Sequence, residues 1–106
     1  MMYSEFIEIS GISEKYITMR EYTDMVEPVY THCELSKADF CKLLNEIIEK
    51  MVYPVVEQKM HSLSMEEKLI MIEDLKGADQ IKERVQKVDA EARKLAYQYM
   101  KLYLLM

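Results

Sequence analysis

His32, Cys33, Cys41 and His61 are the side chains best suited to hold a soft metal or to attack a substrate. A structural zinc site usually brings its ligands in close pairs about two to four residues apart. Here His32 and Cys33 are adjacent and Cys41 follows only at some distance, so the spacing predicts no metal. Cys41 stands beside Phe40 at a predicted helix start, where a small thiol packs as an apolar group. His32 is too local to Cys33 to serve as its base, and neither cysteine lies in a sharp Gly-rich turn. With 2 Gly in the whole chain there is no phosphate-cradling loop, no nucleophile elbow and no backbone oxyanion nest. The carboxylates Glu5, Glu8, Glu14, Glu46, Glu49, Glu66, Glu67, Glu73 and Asp74 all fit solvated faces. No catalytic, cofactor-binding or metal residue is therefore assigned, no cofactor is expected, and the chain reads as a non-enzyme.

Interaction chemistry is more visible. Ile81, Val85, Val88, Ala92, Leu95, Tyr99, Leu102 and Met106 alternate spacings of four and three, which is a heptad seam. Arg84 and Asp89 fall at its g and e positions. Up to about Ala92 a polar face is defined by Lys82, Glu83, Lys87, Asp89 and Glu91. Beyond it, apolar side chains spread almost all round the helix, and Leu95, Tyr97, Tyr99, Leu102, Tyr103 and Met106 are the interface candidates. Two readings stand side by side. Either the N-terminal segment and first helix bury this end within one chain, or it meets a second chain, where Tyr and Met are enriched. A 106-residue monomer has limited surface with which to cover so much apolar helix. A membrane-surface helix would want a basic polar face, and after Lys94 only Lys101 is basic.

The elements that must position this seam follow from composition. Half the residues are apolar and 31% are charged, as in a folded domain, and one domain spans residues 1–106. With 2 Gly, 2 Pro and 10 Met, a sheet-dominated fold is disfavoured. The expected fold is all-α, a four-helix bundle-like arrangement with a long C-terminal helix. Phe6 to Ile9 and Lys15 to Thr18 are short β-favouring runs around Ser10-Gly11, and predict a small N-terminal hairpin. Thr18-Met19-Arg20-Glu21 fits a capping box, opening a helix with Tyr22, Met25, Val26, Val29 and Tyr30 on one face. Ser36 caps the next, whose face runs Phe40, Leu43, Leu44, Ile47, Ile48, Met51, Val55 and Val56. Pro28 and Pro54 lie inside these two helices and are expected to kink or end them. Ser64-Met65-Glu66-Glu67 is a further capping box, Gly77 is a stop signal, and the last helix starts near Asp79.

Met25-Val26-Glu27-Pro28-Val29-Tyr30 echoes Met51-Val52-Tyr53-Pro54-Val55-Val56. The match does not extend upstream of either Met, and a solenoid needs about three repeats, so two separate proline kinks explain it better than duplication. Between Tyr22 and Leu44, Glu27-Pro28-Val29-Tyr30 followed by Leu35-Ser36-Lys37-Ala38-Asp39-Phe40-Cys41-Lys42-Leu43-Leu44 resembles small uncharacterised proteins of gut anaerobic bacteria. That resemblance covers about a fifth of the chain. It implies a bacterial cytosolic origin, on a mobile element in one version, and carries no activity with it.

Two cysteines make no disulfide framework, no apolar run approaches the roughly 18 residues of a membrane span, and the N-terminus lacks a basic start. The expected compartment is the cytoplasm. The leading expectation is a non-enzymatic protein–protein interaction or regulatory module, homodimeric through its last helix. The alternative is a nucleic-acid-associated small regulator, a repressor or phage accessory protein, using Lys82, Arg84, Lys87, Arg93 and Lys94. The net charge of −5 and the acids interleaved among those bases weigh against nucleic acid. The weakest alternative is an enzyme with a Tyr- and Met-lined pocket between helices.

Overall fold

The computed structural model describes residues 1–105 and is all-α, with no strand among those residues. The helices are α1 (Tyr3–Ser10), α2 (Met19–Glu21), α3 (Glu27–Thr31), α4 (Lys37–Ile47), α5 (Tyr53–Ser62), α6 (Met65–Ile72) and α7 (Ala78–Leu105). Two five-residue π-helical turns, Tyr22–Val26 and Ile48–Val52, join α2 to α3 and α4 to α5 without a break. The backbone thus makes five continuous helical rods.

Three expected N-caps form. The Glu21 N–H donates to Thr18 Oγ1 at 3.2 Å and the Asp39 N–H to Ser36 Oγ at 3.2 Å. Ser64 and Glu67 exchange both bonds of a capping box, each at 3.1 Å. Glu21, however, does not return its carboxylate to Thr18. Asp74 takes the left-handed turn position after α6, at φ 53°, and Gly77, at φ 94°, lies just before α7. The stop therefore comes earlier than Gly77 suggested.

The N-terminal hairpin does not form. Phe6 to Ile9 belong to helix α1, and residues 15–18 contain no strand. Local β propensity loses to two end signals: the Met2 N–H donates to Glu5 Oε1 at 3.1 Å, and Gly11 closes the far end in the left-handed region at φ 72°. Tyr3, Phe6 and Ile7 then share one face. The Phe6 and Tyr22 ring centroids lie 4.7 Å apart, and Tyr3 Oη donates to the Ile17 carbonyl at 2.7 Å.

Neither proline ends its helix. Each stands second in the α-helical stretch after a π turn, and the π turn accounts for the sequence echo. Proline has no N–H, and its ring crowds the carbonyl four residues back. Widening the preceding turn relieves that crowding: the Glu27 and Tyr53 N–H groups donate five residues back, to the carbonyls of Tyr22 and Ile48.

The core gathers Phe6, Ile17, Tyr22, Val26, Phe40, Leu44, Ile48 and Val52 against Ala92, Ala96, Tyr97 and Met100 of α7. This main cluster lies towards one end of the molecule, and Leu63, Ala78 and Ile81 are buried apart from it. At the other end α6 packs chiefly against α7, and neither α5 nor α6 has a fully buried residue. The result is long, 48 × 27 × 19 Å, with a radius of gyration of 15.7 Å where a compact chain of this length has about 13 Å. No helix among the described residues is long and apolar enough to cross a membrane.

Candidate interaction face on the last helix

The rotation of α7 is fixed by a polar cluster. Arg93 is only 8% exposed and donates through Nε (3.0 Å) and Nη2 (3.1 Å) to the two Glu21 oxygens. Its Nη1 reaches Asp89, one turn earlier on α7. Tyr97 Oη donates to Glu21 at 2.6 Å and Tyr16 Oη to Asp89 at 2.8 Å. The guanidinium also lies over the Tyr16 ring, 4.4 Å from its centroid. Burial, then the neighbouring Glu21, pushes the Tyr97 phenol well above its ordinary value, and burial with Asp89 does the same to Tyr16. Burial works against the charge on Arg93, but its pairing with Glu21 and Asp89 more than offsets this and holds it protonated. No described buried side-chain polar atom lacks a partner.

This cluster ties the Tyr16 turn and the α2 segment to one side of α7, and helical geometry decides the rest. Residues at i and i+4, here Arg93 and Tyr97, share a face, so Leu95 and Tyr99, two positions on, point the other way. Leu95 is 62% exposed and Leu102 66%, and Tyr99 and Tyr103 are exposed with them. The Tyr99 and Tyr103 rings stack at 6.2 Å. Beside them runs a groove of about 330 Å³, walled by Leu43, Ile47 and Met51 of the α4 rod and by the two tyrosines, with Glu46 and Lys50 on its rim.

Of the sequence-derived interface candidates, Leu95, Tyr99, Leu102 and Tyr103 come together on this outer face. Tyr97 does not join them; it is buried beneath Glu21. Met106 lies outside the described residues. The buried stripe leaves the heptad seam near Ala92: inward positions continue as Ala96, Met100 and Leu104, at spacings of four. A second apolar row, Met65, Leu69, Ile72 and Leu75, is exposed on α6 and the turn after it. The groove wall from α4, Leu43, Ile47 and Met51, lies on the apolar face read from the sequence, but its pairing with Tyr99 and Tyr103 and the partners of Arg93 had no sequence signal, since Glu21 and Arg93 are far apart in the chain.

Comparison with protein-family models, curated proteins and solved structures finds no match. Chemistry must therefore be read from the residues. His32 and His61 are exposed, Cys33 is half-buried and Cys41 buried, and burial pushes the Cys41 thiol up. No group of three His, Cys, Asp or Glu among the described residues is placed to hold a metal ion. Three of the six bases of α7 are engaged: Lys82 pairs with Asp74 at 3.2 Å, Arg84 with Glu67, and Arg93 with Glu21 and Asp89. Lys87 and Lys94 are exposed.

Proposed function

We propose that this chain is a non-enzymatic protein–protein interaction module whose working surface is the outer face of α7 from Leu95 to Tyr103 together with the adjoining groove. One observation carries the reading. Four large apolar side chains stand in water at i, i+4, i+7 and i+8 on a helix whose opposite side is fixed by a closed polar cluster. Turning the helix to hide them would break that cluster, so a partner is the available cover. Contiguous apolar surface of this kind marks recognition sites on small proteins. Its mixture of Tyr and Leu over a shaped groove suits a helical partner, and the expected cytosolic setting leaves both cysteines as thiols.

Self-association is the simplest form of this function. Size-exclusion chromatography with light scattering tests it by comparing the wild-type chain with Leu102→Glu. The wild type should gain mass with concentration while the variant, equally helical by circular dichroism, stays monomeric. Identical masses for the two across the whole range would refute it.

A further inference from the structure

The geometry points to a second copy of this chain as the occupant, paired antiparallel across a two-fold axis near Tyr99. This inference rests on the interaction reading above and adds the partner and its orientation. Three observations carry it.

The first is how the seam is covered within one chain. α6 runs antiparallel to α7 and lies along the first half of the seam, where Ile81 is buried, Val85 and Val88 are half-buried and Arg84 reaches Glu67. α6 has only 8 residues, and the seam continues past it as Leu95, Tyr99 and Leu102, exposed and with no described helix above them. The vacancy is thus the continuation of a slot that already holds an antiparallel helix. From Leu95 to Tyr103 it is about 12 Å long at ~1.5 Å per residue. The same stretch of a second α7 has the same length and the same apolar row, with Leu95 meeting Leu102 of the partner copy and Tyr99 near the axis.

The second is area. The chain exposes 7382 Å². A 12.6 kDa monomer ordinarily exposes about 6,200 Å², so the excess is roughly 1,200 Å², shared between the outer α7 face and the exposed α6 row. A stable interface of standard size covers about 800 Å² on each partner.

The third is charge. Glu46 and Lys50 sit one helical turn apart on the groove rim. When two identical faces meet antiparallel, each rim lies against its own copy with the direction reversed. Glu46 of one copy then faces Lys50 of the other, and the pair occurs twice. Parallel pairing would instead set this rim over the Lys94 and Lys101 flank of α7.

Charge exchange tests the inference. Glu46→Lys and Lys50→Glu each place four like charges at the antiparallel rim, and each should weaken homodimerisation by ~10-fold or more. Mixed in equal amounts, the two variants should form a heterodimer in preference to either homodimer, read by native mass spectrometry. The double variant E46K/K50E should recover wild-type association. A wild-type chain that remains monomeric at millimolar concentration overturns the second copy as occupant. Tighter association of Lys50→Glu alone, or mixing without heterodimer preference, overturns the antiparallel pairing. If Leu102→Glu still dissociates the wild-type dimer in that last case, the apolar-face reading stands without it.

Discussion

Replacing Arg93 by Met tests the cluster that orients α7. Met keeps most of the side-chain volume and removes the charge, so the change isolates electrostatics from packing. Glu21 and Asp89 would both lose their shared cation, at 18% and 17% side-chain exposure. Removing one partner of a fully buried pair costs about 3–5 kcal/mol. The residual exposure of both carboxylates lowers the expected cost here to ~2–4 kcal/mol. For a domain of this length each kcal/mol moves the melting temperature by about 4–8 °C, so a fall of roughly 8–30 °C should appear in thermal denaturation. The companion variant Tyr16→Phe deletes a single bond to Asp89 and should cost only about 1 kcal/mol. Removing the acids as well, in the triple variant Glu21→Gln, Asp89→Asn, Arg93→Met, should recover part of the loss, because no uncompensated charge then remains. An Arg93→Met chain within 1 °C of wild type, or a triple variant less stable than the single one, would refute this account of what fixes the helix.

Three further outcomes follow from local features. Burial, with Glu27 nearby, pushes the Tyr22 phenol from 10.0 up to about 12. The folded state holds this proton more tightly than the unfolded one, so the associated stability is intact below pH 10 and is lost as pH rises towards 12. By about pH 11 the loss should be ~1 kcal/mol in urea midpoints, and Tyr22→Phe should abolish that part of the slope. Ser64→Ala breaks both the α6 capping box and the start of the helix that covers the seam. It should cost about 1 kcal/mol, and hydrogen exchange should rise in α6 before the rest of the fold. With a thiol reagent, Cys33 should react readily in the native state, whereas Cys41, buried and with its thiol pushed up, should react only as the chain unfolds.

The legible parts of the fold were those written within one helical turn. Thr18 and Ser64 announced a helix start through a Glu three residues on, Ser36 through its residue type alone, and all three caps are present. The N-terminal run misled because Phe6, Ile7 and Ile9 favour strands by residue type. The packing of Phe6 on Tyr22, which helps override that preference, depends on the fold, whereas the Met2–Glu5 bond is local and is masked in the sequence by the β-favouring residue types around it. Pro28 and Pro54 signalled a disturbed helix, and the π turn is the specific form that the missing N–H takes. The candidate face was half legible. A strict four-three alternation marked Leu95, Tyr99 and Leu102 as one row. Which side of α7 faced inward could not be read, because that depends on Arg93 meeting Glu21 across most of the chain's length. The same contact sent Tyr97 inward and left Tyr99 and Tyr103 out.

The central claim is that Leu95 and Leu102 are covered by a partner in solution. Solvent paramagnetic relaxation of methyl groups, followed from low to high protein concentration, measures that cover directly. Leu95 and Leu102 should become protected as concentration rises while Leu69 and Ile72, exposed on α6, remain accessible throughout. Unchanged relaxation at Leu95 and Leu102, or protection appearing at Leu69 and Ile72 instead, would contradict the assignment of this face.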